Sequence, residues 1–267
     1  MNKVVLITGA SSGIGKTTAE FLTQKGCKVY GTSRSIRADK FTFNLLQLDV
    51  NQTDTIQKAI AIVLQKEGRL DVVINNAGMG ITGPIEDTPT EEMRKVFDTN
   101  LFGAIDVIKA VLPQMRQQKS GLIINITSIA GYMGLPFRGM YSASKAAFEI
   151  VTETLRMEVR EFGVHVVNVA PGDFATNIAA GRYHTPVFEN SAYKEIYKKN
   201  LETMDAHVAE GSDPKEMAEK IYEIIRNPNP KIHYRVGTYL QKFSIVLKRV
   251  LPDKMYEKLL MRHYGMR

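Results

Sequence analysis

A chain of 267 residues, 44% hydrophobic and 24% charged, is long enough for one α/β domain around a substantial core. Its single cysteine, Cys27, excludes an internal disulfide, and neither it nor the five histidines fall at a metal-ligand spacing, so no metal site is expected. The formal charge of +7 asks for an acidic partner, yet no nucleic-acid motif accompanies it; much of the excess lies at Lys242, Lys248, Arg249, Lys254, Lys258, Arg262 and Arg267.

Met1-Asn2-Lys3 leads straight into Val4-Val5-Leu6-Ile7, which reads as a first strand rather than the apolar core of a signal peptide. No apolar run approaches the ~20 residues of a membrane span. The expectation is a cytoplasmic protein, at most peripheral to a membrane. In chain order, strands are predicted at 3–8, 28–32, 44–48, 70–75, 121–127, 164–170 and 232–235, and helices at 14–25, 53–67, 91–117, 141–162 and 214–226. Strand runs such as Val72-Val73-Ile74 are apolar without alternation, as in strands covered on both faces. Thr90-Glu91-Glu92-Met93 reads as a helix start with a capping hydroxyl and acids in its first turn. The alternation of strand and helix predicts a doubly wound parallel sheet with helices on both faces, a single domain over 1–267. Residues 176–212 break the pattern and are expected to hold short helices and serve as a substrate lid. Residues 239–267 form a basic amphipathic extension interrupted by Pro252; it suits an anionic membrane surface, the pocket or a neighbouring subunit.

The first strand ends in Thr8-Gly9-Ala10-Ser11-Ser12-Gly13-Ile14-Gly15. Glycines between a strand and a helix allow a tight turn at Gly9, close backbone approach to a pyrophosphate at Gly13 and close packing at Gly15. The helix N–H groups then face phosphate. The second strand ends at Ser33-Arg34, where an acid would hold a ribose 2′-hydroxyl. Arg34 can instead pair with a 2′-phosphate, with Arg37 a second candidate, so NADP(H) is expected in preference to NAD(H). Further along, Tyr141 and Lys145 stand at i and i+4 of one helix and share a face. Ser128 ends the preceding strand. Free tyrosine titrates near ~10, and a neighbouring ammonium favours its phenolate. A phenol beside a hydroxyl and an ammonium suits proton transfer at a carbonyl oxygen, with Tyr141 as acid/base and Ser128 stabilising developing charge.

These separated motifs resemble the short-chain dehydrogenase/reductase family over roughly residues 1–235. The glycine motif falls on Gly9, Gly13 and Gly15, with Ser11, Ser12 and Ile14 inside the turn. The adenine-side acid falls on Asp49, followed by Val50. The Asn-Asn-Ala-Gly stretch falls on Asn75, Asn76, Ala77 and Gly78; the helix asparagine on Asn100; the catalytic trio on Ser128, Tyr141 and Lys145; the Pro-Gly turn and its threonine on Pro171, Gly172 and Thr176. Met133-Gly134-Leu135-Pro136-Phe137 and Phe162-Gly163-Val164-His165 look like the 17-beta-hydroxysteroid and retinol dehydrogenase branch. The resemblance implies a Rossmann-type fold and alcohol–carbonyl interconversion. It also implies that Lys145 binds the nicotinamide ribose, that Asn100 holds a water beside it, and that the long helices form a homodimer or homotetramer. A lipophilic small-molecule substrate is expected, with Leu135, Tyr183, Met79, Tyr132 and Phe137 as candidate pocket walls beside Ser128 and Tyr141. A non-catalytic NADP-binding sensor, or an epimerase or dehydratase, would share the fold.

Overall fold

A computed structural model describes residues 2–36, 41–174, 181–209 and 211–266. Its strands are β1 (Val4–Ile7), β2 (Lys28–Ser33), β3 (Asn44–Gln47), β4 (Val72–Asn75), β5 (Ile81–Thr82), β6 (Gly121–Ile126), β7 (Val164–Pro171), β8 (Tyr183–His184) and β9 (His233–Val236). Its helices are α1 (Gly13–Gln24), α2 (Thr53–Glu67), α3 (Thr90–Phe97), α4 (Gly103–Gln118), α5 (Gly139–Glu158), α6 (Lys194–Ala209), α7 (Pro214–Arg226), α8 (Tyr239–Val250) and α9 (Asp253–His263). All strands but β5 and β8 form one parallel sheet in the order β3-β2-β1-β4-β6-β7-β9. The chain winds outward from β1 to β3, then returns to continue from β4 on the other side. That reversal opens a crevice at the carboxyl ends of β1 and β4, where ligands bind in doubly wound sheets.

Successive strand residues point to opposite faces, so each apolar run serves two cores. Val4, Leu6, Val73, Ile123 and Val166 pack with Ile56 and Val63 of α2, Val107 and Val111 of α4, and Phe148 of α5. Their neighbours Val5, Ile7, Val72, Ile74, Ile124, Val167 and Val169 pack with Ala19 and Leu22 of α1 and Met217, Ile221 and Ile224 of α7. Each valine, leucine, isoleucine, methionine or phenylalanine among them contributes about 1.5–3 kcal/mol when fully buried. α7 presents its apolar stripe because Asp213 caps it, accepting from Lys215 N at 2.9 Å, and Pro214 fits the first turn.

A row of polar residues crosses this apolar sheet. Asn75, Asn125, Asn168 and His233 are register partners on β4, β6, β7 and β9. Asn75 Nδ2 donates to Asn125 Oδ1 at 2.8 Å, and Asn125 Nδ2 donates to Thr152 Oγ1 of α5 at 2.8 Å. Asn168 Nδ2 donates to the Glu149 carbonyl at 3.1 Å, while His233 lies 3.0 Å from the Glu149 carboxylate and 3.1 Å from that of Glu153. Apolar contacts let helices slide; this ladder fixes α5 at one register over the sheet.

The structure departs from expectation over 91–117 and over 176–212, where a two-residue strand and the 16-residue α6 stand in place of short helices. The helix expected over 91–117 is α3 and α4 joined by a π-helical turn, Asp98–Phe102. Thr90 is the first helical residue after Pro89 and makes no capping bond, although Glu91 and Glu92 do occupy the first turn. After β8, whose backbone pairs with β5, α6 follows and the buried Tyr197 donates from its hydroxyl to the Thr82 carbonyl at 2.9 Å. The extension forms α8 and α9, broken at Pro252. α8 opens with a capping box between Thr238 and Gln241. Ile245 and Tyr256 bury against Ile129, Met133 and Ala170, so α8 and α9 lie along the crevice.

Candidate active site

The glycine turn is held from behind. Thr8 Oγ1 accepts from the backbone N–H groups of Asn76 and Ala77 at 3.0 and 2.9 Å. Asn76 Nδ2 donates to the carbonyls of Thr8 and Gly9 at 2.9 and 3.0 Å. Gly9 adopts φ 66° and Gly13 φ 53°, a region costly for other residues. A Cβ on Gly15 would stand 2.4 Å from both the Gly9 carbonyl oxygen and Asn76 Nδ2. The turn is therefore as narrow as a pyrophosphate cradle requires. Ser12 makes no capping bond and α1 carries no acid in its first turn, which leaves the first N–H groups and a hydroxyl for an anion. These residues fit a dinucleotide. Arg34 is exposed just beyond β2, beside Ser33, and pairs with no carboxylate among the described residues. Asp49 is half-buried and accepts from Asn51 N at 3.0 Å; Val50 is buried beneath Gly103. Thr176 and Arg37 lie outside the described residues.

α5 brings Tyr141 and Lys145 to the carboxyl end of β6. Lys145 is buried, and its Nζ donates to the Ile126 carbonyl at 2.9 Å. Loss of hydration pushes its ammonium down to about 8. The π-helical turn carries Asn100, whose Oδ1 accepts from Met79 N at 2.8 Å and whose Nδ2 donates to the Met79 carbonyl at 2.9 Å and Ser144 Oγ at 3.1 Å. Ser144 Oγ donates in turn to the Tyr141 carbonyl at 2.8 Å. A Cβ on Gly78 would lie 3.1 Å from Asn100 Oδ1 and 3.5 Å from Lys145 Nζ, so those two atoms flank a glycine. Ser128 Oγ accepts from Ala130 N at 3.1 Å, which leaves the hydroxyl proton to donate elsewhere.

Ser128 and Tyr141 share the wall of a cavity of about 570 Å³. Ile14, Pro171 and Gly172 line it too, so it reaches the glycine turn; Lys145 and Asn100 do not line it. Leu135 lines the cavity as expected, with Met133, Leu247 and Leu260. Tyr183 and Met79 do not: pairing of β8 with β5 turns Tyr183 into a cluster with Ile81, Val96 and Tyr141, which Met79 joins. Phe137 packs on Tyr197 with ring centroids 5.3 Å apart, and the Tyr132 ring lies 5.0 Å from the Arg235 guanidinium.

Four residues have roles that the motifs do not assign. Thr8 shapes the turn, Ser144 links Asn100 to the Tyr141 backbone, Arg138 sits with its guanidinium 5.3 Å from the Tyr141 ring centre, and Gln241 donates to Asp173 Oδ2 at 2.9 Å beside the Pro171-Gly172 turn. Arg138 and Ser144 stand three residues either side of Tyr141, a helical spacing that puts them on its face. Gln241 carries no local signal that it reaches back to Asp173.

Comparison with known proteins places this geometry. The short chain dehydrogenase family model matches residues 3–186. The 3-ketodihydrosphingosine reductase of Bacteroides thetaiotaomicron is 39% identical over 99% of this chain and 99% of its own. Mouse 17-beta-hydroxysteroid dehydrogenase type 1 is 32% identical over 86% of this chain and 72% of its own, in keeping with the branch resemblance. A short-chain dehydrogenase from Streptomyces avermitilis has a crystal structure that superposes with a TM-score of 0.82, at 33% identity, covering 97% of this chain and 98% of that one. With a glycine turn, a tyrosine–lysine helix and a nearby serine assembled around one crevice, the chain belongs to the short-chain dehydrogenase family of oxidoreductases.

Proposed function

We propose that this protein is an NADP(H)-dependent oxidoreductase that interconverts a lipophilic ketone and its alcohol. The observation that carries the reading is the shared wall: Ser128 and Tyr141 face a largely apolar cavity that runs into the glycine turn. The glycine turn would hold the cofactor, Arg34 its 2′-phosphate and Lys145 its nicotinamide ribose, and a bound cofactor would supply a hydride. Tyr141 gives its hydroxyl proton to the substrate oxygen. Ser128 donates a hydrogen bond to that oxygen as its charge grows. Lys145 holds a positive charge behind the phenol at neutral pH, and Asn100 keeps the neighbouring backbone in place. Leucine and methionine walls favour a hydrocarbon-rich substrate over a sugar. The 39%-identical relative named as a 3-ketodihydrosphingosine reductase supports a long-chain ketone as one candidate, and the mouse hydroxysteroid dehydrogenase a steroid. Exposed Ile150 and Met157 on α5 support a homodimer or homotetramer formed through that helix.

A panel of hydrophobic ketones, supplied with NADPH and then NADH, tests the reading. Net oxidation of NADPH with formation of the alcohol is expected, and slower turnover with NADH. An unchanged cofactor with an isomerised or dehydrated product would mark an epimerase or dehydratase. Cofactor binding without turnover of any ketone would mark a sensor.

A further inference from the structure

The C-terminal helices cover the cavity with one face and leave the other bare. On α8, Tyr239, Phe243, Val246 and Val250 recur at a helical spacing of three to four and form a stripe away from the buried Ile245. They are large apolar side chains in the open: Tyr239 is 79% exposed and Val250 73%. The rings of Tyr239 and Phe243 stack with centroids 5.9 Å apart. On α9, Met255 and Leu259 make a second exposed pair. Cations border both stripes. Lys242 and Arg249 flank the first; Lys254, Lys258 and Arg262 flank the second, and all five are exposed. Across 239–266 there are six lysines and arginines against two acids, Asp253 and Glu257. Lys248 knits the two helices together through Asp253 at 3.1 Å and the Tyr256 ring.

The stripes meet the cavity. Leu240 and Leu259 are 68% and 47% exposed, yet both also line its wall. Apolar side chains, edged by cations, therefore border the cavity where α8 and α9 line it. Among the described residues no helix is long and apolar enough to cross a membrane. A short apolar stripe flanked by lysines and arginines matches the boundary of an anionic bilayer, with hydrocarbon at its centre and phosphates at its edge. We infer that α8 and α9 dock this protein on the surface of an anionic lipid bilayer, with the cavity mouth facing the lipid, so that a lipophilic substrate passes from the bilayer to Tyr141 without crossing water. The role of the docked mouth rests on the proposed function; the docking itself does not.

Sedimentation of the full chain with phosphatidylglycerol-containing vesicles, and with pure phosphatidylcholine vesicles, tests it. The chain is expected to pellet with the anionic vesicles only, and to be released as the Debye length falls from about 10 Å to about 3 Å in high salt. The double variant Val246→Asp, Val250→Asp alters exposed residues that do not line the cavity. It should lower vesicle affinity about tenfold or more while reducing a water-soluble ketone at the parent rate. Lys254→Glu with Lys258→Glu should weaken binding similarly. Recovery of the folded full chain in the supernatant with both vesicle types overturns the inference, as does equal pelleting with both, or unaltered binding by the variants. A self-association without lipid that the valine variant abolishes also overturns it, because a second copy then covers the stripe. Vesicle binding with no ketone turned over would sink the proposed function and leave the docking surface standing; turnover without vesicle binding would do the reverse.

Discussion

Lys145 is the residue where the proposed function and stability pull against each other. A buried ammonium facing one carbonyl is held well below its ordinary value, down to about 8, so keeping it charged at neutral pH costs stability. The native state gives up this proton near pH 8 and the unfolded chain near 10.5, so between those values the unfolded chain binds more protons. Stability from this group therefore rises as pH climbs through that window. Lys145→Met is expected to be more stable than the parent at pH 7, with the advantage shrinking toward pH 10.5, and to lose turnover; thermal or urea melts across pH check this. A variant less stable at pH 7 would show that the hydrogen bond to Ile126 outweighs the burial cost. Arg34 carries a separate expectation: Arg34→Ala should raise the KM for NADPH by about 10- to 100-fold and leave that for NADH within about twofold, as measured by steady-state kinetics. Tyr141 and Lys145 were legible together because spacing on one helix sets a shared face; Ser128 and the glycines stand on other elements and were named through separate motifs. The placement of Tyr183 was not legible, because the two-residue strand that turns it inward exists only when its partner 102 residues away, Ile81, is in register.

At the scale of elements, α5 is useful only if it stays put. The asparagine row on β4, β6 and β7 clamps it through Thr152 and the Glu149 carbonyl. Replacing Asn125 by alanine strands a donor on Asn75 and leaves Thr152 Oγ1 only its own bond to the Phe148 carbonyl, which should cost about 1–3 kcal/mol in denaturant melts. Turnover should fall with cofactor affinity little changed, because the glycine turn is held separately by Thr8 and Asn76. All seven main strands were predicted, β1 and β4 most plainly from apolar runs without alternation, but the row was not. A single asparagine inside a strand has no periodic signal, and its meaning appears only when parallel register sets three of them side by side. The π-helical turn at Asp98–Phe102 was hidden for a related reason: one widened turn disturbs the 3.6-residue pattern too little to show.

Across the whole molecule, the doubly wound sheet brings its strand ends to one edge and the C-terminal helices complete the site over them. The amphipathic character of 239–263 was plain in the sequence, whereas its partners, Met133 and Ala170, lie far back in the chain and only tertiary packing could name them. Leu247 of α8 lines the cavity, so Leu247→Trp should narrow it and raise the KM for long hydrophobic ketones at least about tenfold more than for small ones. The proposed function turns on a proton passing from Tyr141 to a substrate oxygen. Tyr141→Phe removes that hydroxyl from the cavity wall and little else. Turnover of a reducible ketone should fall about 10²- to 10⁴-fold while NADPH binds with parental affinity in titration calorimetry. Turnover that survives the change would contradict the assignment.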